Sequence, residues 1–403
     1  MELSVIVVNY NVRYFLHICL ESLLAATSTL KSEIIVVDNA SVDGSVDMIR
    51  EHFPSIRLIN NSENVGFGKA CNQGLQISRG RHVLFVNPDS LMGESLLTRA
   101  LEVFTQDETI GAVGVCLLDG NGQVLRESKR SIPTLWSAFT KFSGLSDLFP
   151  RSPFFNGYYA PELAYDETGD IEVLPGAFML IRKDILDDLG GFDPRFFMYA
   201  EDIDLSYRIT RAGYRIRYLG TEYVIHFKGE STQKSLKTYT NTFFHSMRLF
   251  IRKYKGELYA PGVAWLLQGV VRTIQGIQSF RKRIFKANSG QVKSRFPTRI
   301  FLLTGRNHIR QQLLDSFDFQ TIELIPQEGA HQASFYLRYA PSWLQTHPDT
   351  AMILDFRALH FEQIVDLWKI PRRQPIFMLD GTNSFIICSH NKEKQGEVHT
   401  FTP

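Results

Sequence analysis

The first ninety residues alternate between short apolar runs and amphipathic stripes. Leu3–Val8 is a β-branched run closed by the turn formers Asn9 and Asn11, which predicts a buried strand. Phe15, Ile18, Cys19, Ser22 and Leu23 then recur at helical spacing. Glu33–Val37 predicts a second buried strand, ended by Asp38 and Asn39. Val46, Ile49 and Phe53 mark a helix that Pro54 stops. Ile56–Ile59 and His82–Val86 are two further strands. Between them a helix is predicted over Gly66–Ser78, with Phe67, Ala70, Cys71, Gly74 and Leu75 on one face. Such alternation predicts an α/β fold built on an open, mainly parallel sheet. Right-handed crossovers bring the C-terminal ends of its strands to one edge, where ligands bind. Asn9, Asp38, Asn39, Asn87 and Asp89 all fall at such ends, which predicts a nucleotide site there.

Farther along, the pattern loosens. Ala112–Leu118 predicts a strand and Asp119–Gly122 a turn. Residues 131–172, rich in aromatics and prolines, predict a long loop or lid. Pro175, Gly176 and Ala177 open the strand Phe178–Ile181. A helix over Ala200–Gly213 follows, then a strand near Arg217 and a separate one at Val224–His226. The pattern closes a first domain at 1–256. Residues 257–287 carry a broad apolar stripe, including Trp265, Leu266, Val270 and Ile274, and end in Arg281, Lys282, Arg283 and Lys286. This predicts a basic amphipathic helix suited to an anionic membrane surface; packing against the next domain fits the same pattern. Beyond a linker, residues 296–403 predict a small α/β domain. Its strands are Arg299–Leu303, Thr321–Ile325, Ala351–Phe356 and Pro375–Leu379, and its helices Gln311–Ser316 and Glu362–Trp368. The turn Thr304–Asn307 lacks the glycine pattern of a dinucleotide loop.

Composition narrows the partners. The 44 Lys and Arg against 42 Asp and Glu leave a net charge of +2, so nothing global draws the chain to nucleic acid. Its four cysteines are scattered, with no CxxC pair, which fits neither a zinc site nor a disulfide framework and points to a reducing compartment. No basic segment precedes the first strand, and no run approaches the ~20 apolar residues of a membrane span. A cytoplasmic protein, or one held on the cytoplasmic face of a membrane, is expected.

Several polar positions carry candidate chemistry. Asp38 is placed either to accept the N3 proton of a uracil or thymine ring or to hold a turn. Asn64–Lys69 opens a helix, where glycines permit close backbone approach and the helix N-terminus favours phosphate oxygens. Asp89, in Asn87–Pro88–Asp89, suits a divalent cation gripping a diphosphate, although the tripeptide is also good turn chemistry. Glu201, Asp202 and Asp204 crowd three carboxylates into four residues. Asp204 pairs with Arg208 at i,i+4, whereas Asp202 has no basic residue at i+3 or i+4. A half-buried carboxylate without a partner is a general-base candidate. His226 ends a strand, where an imidazole suits a metal site.

Taken in order, these stretches resemble the inverting family 2 glycosyltransferases of GT-A fold, in their rhamnosyltransferase-like branch. The stretches are Val5–Tyr10, Val36–Ser41, Asn64–Gly68, Asn87–Asp89, Pro175–Ala177, Ala200–Leu205 and His226–Ser231, covering about residues 1–250. The resemblance implies transfer of a sugar from a nucleotide-diphosphate donor, dTDP-rhamnose or a UDP-sugar. The implied acceptor is a glycan hydroxyl, plausibly on a polyprenyl diphosphate, in bacterial surface polysaccharide synthesis. It implies a divalent cation, Mg or Mn, on Asp89 and His226, and Asp202 as catalytic base. It gives Val8, Asn9, Tyr10, Asp38, Asn64, Gly66, Lys69 and Asn87 to the donor nucleotide, and Gly176, Ala177 and Glu201 to the donor and acceptor pocket. The usual DxD motif reads Asn-Pro-Asp here, which leaves Asp89 as its single firm metal ligand. A nucleotidyltransferase would carry a glycine-rich basic loop after the first strand, where Asn9–Asn11 stands instead. A non-catalytic nucleotide-sugar scaffold is the other alternative, and the joint presence of Asp38, Asp89, Asp202 and His226 argues against it.

Overall fold

The computed structural model describes residues 1–227 except 135, 138–139, 141–144 and 151, then 236–260 and isolated positions from 262 to 273. Beyond these it describes 299–303, 321–325, 350–355, 360–369, 376–379, 385–388 and 397–400. Most of the basic helix expected over 257–287, the helix Gln311–Ser316, the Thr304–Asn307 turn and the stretch after Phe227 lie outside the described residues.

The N-terminal half is built on one mixed sheet of nine strands. β1 (Leu3–Asn9), β2 (Ser32–Asp38), β3 (Arg57–Asn60) and β4 (His82–Val86) form its parallel half, in the order β3-β2-β1-β4. The helices α1 (Arg13–Ala26), α2 (Ser45–His52) and α3 (Phe67–Ile77) connect them. β1 is buried along its whole length because both faces are covered. Leu3, Val5 and Val7 pack with Leu16, Leu20 and Leu23 of α1. Ile6 and Val8 face Ala70, Cys71 and Leu75 of α3. Gly74 lets α3 sit hard against the sheet, since a Cβ there would stand 2.7 Å from Ile6 Cγ2. Each buried Val, Ile or Leu contributes about 1.5–3 kcal/mol, so these two packed layers dominate the stability of this half.

The other half of the sheet turns antiparallel. β8 (Phe178–Arg182) runs against both β4 and β6 (Ile110–Leu118), and β6 is parallel to β9 (Arg215–His226). The short β5 (Ser90–Met92) and β7 (Gly169–Ile171) each pair antiparallel with β9. The sheet is therefore parallel across its first four strands and again between β6 and β9, and antiparallel elsewhere. β9 is one strand where the pattern predicts two. Opposite Val115 and Cys116 of β6 its pairing jumps from Leu219 to Tyr223, so the intervening residues bulge out and only interrupt the alternation. The lid region holds two one-turn helices, Leu145–Leu148 and Pro153–Asn156, besides β7.

Two later helices close the site. The helix Glu201–Arg211 packs Ile203 and Tyr207 against Phe244, Met247, Phe250 and Ile251 of the helix Leu236–Lys253. Lys253 and Tyr254 then donate to the fully buried Asp204, whose other oxygen takes Arg208 Nε at 2.8 Å. The expected i,i+4 pair is present as one part of this larger network.

The C-terminal sheet runs β11 (Thr321–Ile325), β10 (Arg299–Leu303), β12 (Thr350–Asp355), β13 (Ile376–Leu379), β14 (Phe385–Cys388) and β15 (Glu397–Thr400). Its first four strands are parallel and the last two add antiparallel pairs. The helix Phe361–Trp368 joins β12 to β13 and docks on the first sheet. Phe361, Ile364 and Trp368 pack with Leu91, Ile225 and Phe227, and Trp368 Nε1 donates to the Asp119 carbonyl at 3.1 Å. Glu94 accepts from the Phe361 and Glu362 amides at 2.7 and 2.8 Å, so the first domain caps this helix.

Candidate functional site

The strand ends of β1 and β2 form one end of the site. Asn9 Nδ2 donates to Asp38 Oδ2 at 2.7 Å and to Ser41 Oγ at 3.0 Å, while the Ser41 amide donates to Asp38 Oδ1 at 2.8 Å. Asp38 is fully buried with both oxygens engaged, as its turn-holding role requires. Val8 is buried beside it and Tyr10 half-buried at the rim. Asn11 and Ala40 adopt left-handed φ values of 58° and 64°, so both strands leave the sheet through strained turns.

The Asn64–Lys69 loop departs from expectation. Asn64 Oδ1 accepts from the Gly66 amide at 3.0 Å. Gly66 has φ 91°, and a Cβ there would stand 2.6 Å from the Phe197 carbonyl oxygen. The close approach this glycine permits is thus to the protein's own chain. The Phe67 amide, which opens α3, donates to the same Phe197 oxygen at 2.8 Å. The Phe67 amide is thus engaged by the protein's own chain. Lys69 is exposed.

Asn87, Asp89 and His226 come together because β5 pairs with the end of β9, setting Ser90 opposite His226. His226 Nε2 lies 3.3 Å from Asp89 Oδ1 and 3.1 Å from Asn87 Nδ2. Asp89 and His226 are both buried, and His226 Nδ1 has no partner among the described residues. No cluster of three or more His, Cys, Asp or Glu suited to a metal occurs among the described residues. Two protein donors nonetheless fit a cation that takes its remaining ligands from phosphate oxygens and water, and carboxylate and phosphate oxygens suit Mg or Mn.

From there hydrogen bonds run straight to the carboxylate helix. The Asn87 amide donates to the Ala177 carbonyl at 3.2 Å. The neighbouring Gly176 amide donates to Asp202 Oδ2 at 3.2 Å. Gly176 leaves this edge open, with Asp202 Oδ2 3.9 Å from where a Cβ would stand.

Asp202 is not the partnerless carboxylate that helix spacing implied. Arg130 Nη2 donates to its Oδ2 at 2.6 Å and to the Leu174 carbonyl at 2.6 Å. The Ile203 amide donates to its Oδ1 at 2.8 Å. Burial opposes the charge on Arg130, but Asp202 and Tyr158 together outweigh it and hold the guanidinium charged more firmly than usual. The partnerless group is Glu201. It is 6% exposed, and its Oε2 finds no hydrogen-bond partner among the described residues. Burial first, then the Asp202 charge, pushes the Glu201 carboxyl up to about 8. Ahead of it Tyr199 and Ala200 hold φ values of 69° and 65°, two consecutive non-glycine residues in the left-handed region. Sequence reasoning missed Arg130, and a carboxylate lacking a partner on its own helix was the signal to look for one elsewhere.

The Glycosyl transferase family 2 model matches residues 4–190, and the Glycosyl transferase family group 2 model matches residues 154–303. The N-acetylglucosaminyl-diphospho-decaprenol L-rhamnosyltransferase of Mycobacterium tuberculosis is 29% identical over 279 residues, 66% of this chain and 89% of that protein. Rhamnosyltransferase WbbL of Escherichia coli is 27% identical over 233 residues, 55% of this chain and 82% of its own length. A mannosyltransferase from Pyrobaculum calidifontis, solved with GDP-Man and Mn2+, aligns over 91% of this chain and 85% of its own at 16% identity and a TM-score of 0.46.

Proposed function

The chain belongs to the family 2 glycosyltransferases, and on that premise we propose that it transfers a sugar, with inversion, from a nucleotide-diphosphate donor to a hydroxyl of a lipid-linked glycan. The observation that carries this reading is the unbroken path from the Asp89–His226 pair through Asn87, Ala177 and Gly176 to Asp202. That path supports a reading in which a cation and diphosphate lie at one end and the catalytic carboxylate at the other.

In this mechanism Asp202 takes the proton of the acceptor hydroxyl. The freed oxygen attacks the anomeric carbon from the face opposite the diphosphate. The bond from that carbon to the phosphate oxygen breaks, and the nucleoside diphosphate leaves with the electron pair. Asp89 and His226 would hold a divalent cation, which would supply positive charge against the leaving diphosphate. Arg130 and the Gly176 and Ile203 amides orient the Asp202 oxygens. The β1 and β2 ends, with Asn9 and Asp38, shape the seat of the base.

The names of the relatives favour L-rhamnose, hence dTDP-rhamnose ahead of a UDP-sugar, and an N-acetylglucosaminyl diphosphate lipid as acceptor. A lipid acceptor asks for a membrane-facing surface. Trp136, Phe149 and Phe154 are 40, 48 and 63% exposed, and Trp136 and Phe154 meet at 4.8 Å. Trp265 is 75% exposed on the segment that follows Tyr259, whose hydroxyl donates to the Pro133 carbonyl. Clustered exposed aromatics of this kind favour a bilayer interface.

The test is nucleoside-diphosphate release from dTDP-rhamnose and from UDP-sugars, with synthetic lipid acceptor, with and without Mn or Mg. Asp202→Asn is expected to lower transfer about 10²–10⁴-fold while nucleotide binding persists. A variant as active as the parent chain would overturn the assignment of the base and favour a group outside this helix.

A further inference from the structure

Lys129 is wholly buried, one position before the arginine that holds Asp202. Its backbone is extended, with φ −140° and ψ 134°, so Lys129 and Arg130 leave the same short stretch on opposite sides. Arg130 reaches Asp202 and the Leu174 carbonyl. Lys129 reaches the expected lid region instead. Its Nζ donates to the Ala160 carbonyl at 2.5 Å and to the Tyr159 carbonyl at 3.2 Å, and lies 4.2 Å from the centre of the Tyr165 ring. Among the described residues no carboxylate forms an ion pair with it. Burial pulls its ammonium below the usual lysine range, and the Glu162 charge offsets this only in part. A buried charge without a counter-ion is costly, and an apolar side chain of the same length would fill the space without that cost. Packing therefore does not account for a lysine here.

The two carbonyls it takes end the single 3-10 turn Gly157–Tyr159. Ala160, which caps that turn, holds a left-handed φ of 43° without being glycine. A lysine at a helix C-terminus satisfies carbonyls that have no partner within the helix. The turn fixed in this way carries Tyr158. The Tyr158 carbonyl accepts from the Ser131 amide at 2.9 Å, and its hydroxyl, with Asp202, holds the charge on Arg130. Arg130 Nη2 in turn donates to Asp202 Oδ2 at 2.6 Å.

We propose that Lys129 is a positioning residue for the transfer step: its ammonium fixes the Tyr158–Ala160 turn and, through Tyr158 and Arg130, the orientation of the Asp202 carboxylate. This rests on Asp202 being the base. Arg130, Tyr158 and Asp202 line one cleft, whereas Lys129 does not. Its loss should therefore fall on the rate of the step rather than on substrate binding.

The experiment measures kcat, both KM values and the melting temperature for Lys129→Met in the full chain, alone and combined with Arg130→Gln. Methionine keeps the length of the side chain and removes the charge, so the melting temperature is expected to stay close to that of the parent. The kcat is expected to fall about 10–100-fold, the scale of a misplaced catalytic group, while the donor KM moves less than about twofold. In the Arg130→Gln background the same substitution is expected to lower kcat less than about twofold, because the route to Asp202 is already cut. Losses that multiply, a kcat equal to that of the parent, or a loss confined to KM overturn the proposal. If Lys129→Met does not fold, Tyr158→Phe decides: it must lower kcat in the parent chain and leave it unchanged in Arg130→Gln, and any other result overturns the route. An Asp202→Asn variant as active as the parent sinks the base assignment instead, so the two failures are told apart.

Discussion

Asp89 Oδ1 and His226 Nε2 face each other at 3.3 Å at the buried edge where β5 meets β9. If a cation bridges them, removing it with a chelator abolishes transfer and adding back Mn or Mg restores it. His226→Ala is expected to raise the metal concentration needed for half-maximal rate by more than the roughly 10–100-fold that loss of an outer-shell partner costs. A metal requirement identical to that of the parent would remove His226 from the site. Arg130 makes a second test at this scale. Its side chain and that of Asp202 are 11 and 13% exposed, so truncating Arg130 to alanine strands a largely buried carboxylate. A loss of about 3 kcal/mol is expected in a urea unfolding midpoint series. The contrast between these residues also marks what the sequence discloses. Asp89, His226, Gly176 and Asp202 sit at strand ends or a helix start, so motif order alone brought them to one edge. Arg130 lies 72 positions from Asp202 and belongs to no periodic element, so helix spacing had no view of it. The same blindness hid the approach of Gly66 to Phe197, which only the folded chain brings together.

The elements themselves follow from pattern where burial is two-sided. β1 to β4 and the helices between them were legible because their apolar runs and stripes are uninterrupted. β14 and β15 were not predicted; both are short, and they join the sheet by antiparallel pairing after its parallel core is complete. β9 was split in two because a bulge breaks its alternation without breaking its pairing with β6. The start of α3 offers the sharpest test at this scale. In Gly66→Ala the new methyl would stand 2.6 Å from the Phe197 oxygen in a left-handed backbone, so one of the two segments must move. A loss of about 1–3 kcal/mol is expected, with weakened transfer, since Phe197 leads directly into the strained Tyr199–Ala200 pair. A variant with unchanged melting temperature and rate would show that this contact sets neither. The helix Leu236–Lys253 is tied in by ions as well as by its apolar face. Lys253 bonds both Asp193 and Asp204, and Lys253→Ala should cost about 3 kcal/mol by the same measurement, because Asp204 is wholly buried.

At the scale of the molecule, the helix Phe361–Trp368 covers apolar surface of the N-terminal sheet. Leu91, Ile225 and Phe227 share one cluster with Phe361, Ile364 and Trp368. A chain ended after residue 256 is expected to bind a hydrophobic dye and to melt below the full chain; equal melting with no dye binding would make the interface dispensable. No helix among the described residues is long and apolar enough to cross a membrane. Co-sedimentation with anionic vesicles that falls in Trp136→Ser/Phe154→Ser would place those rings at the lipid surface, and unchanged sedimentation would exclude them.

The paired β5 and β9 that bring Asp89 and His226 together also set Leu91, Ile225 and Phe227 against the C-terminal helix. Ligand affinity and domain docking are thereby thermodynamically linked, and linkage is reciprocal. If docking steadies the two metal-binding side chains, donor and cation must in turn tighten the docking by the same factor. The melting temperature of the full chain should then rise more when nucleotide sugar and Mn are added together than it does in Trp368→Ala, which should uncouple the two. The domain to which no chemistry is assigned would in that case act as a thermodynamic reporter of whether the donor site is filled.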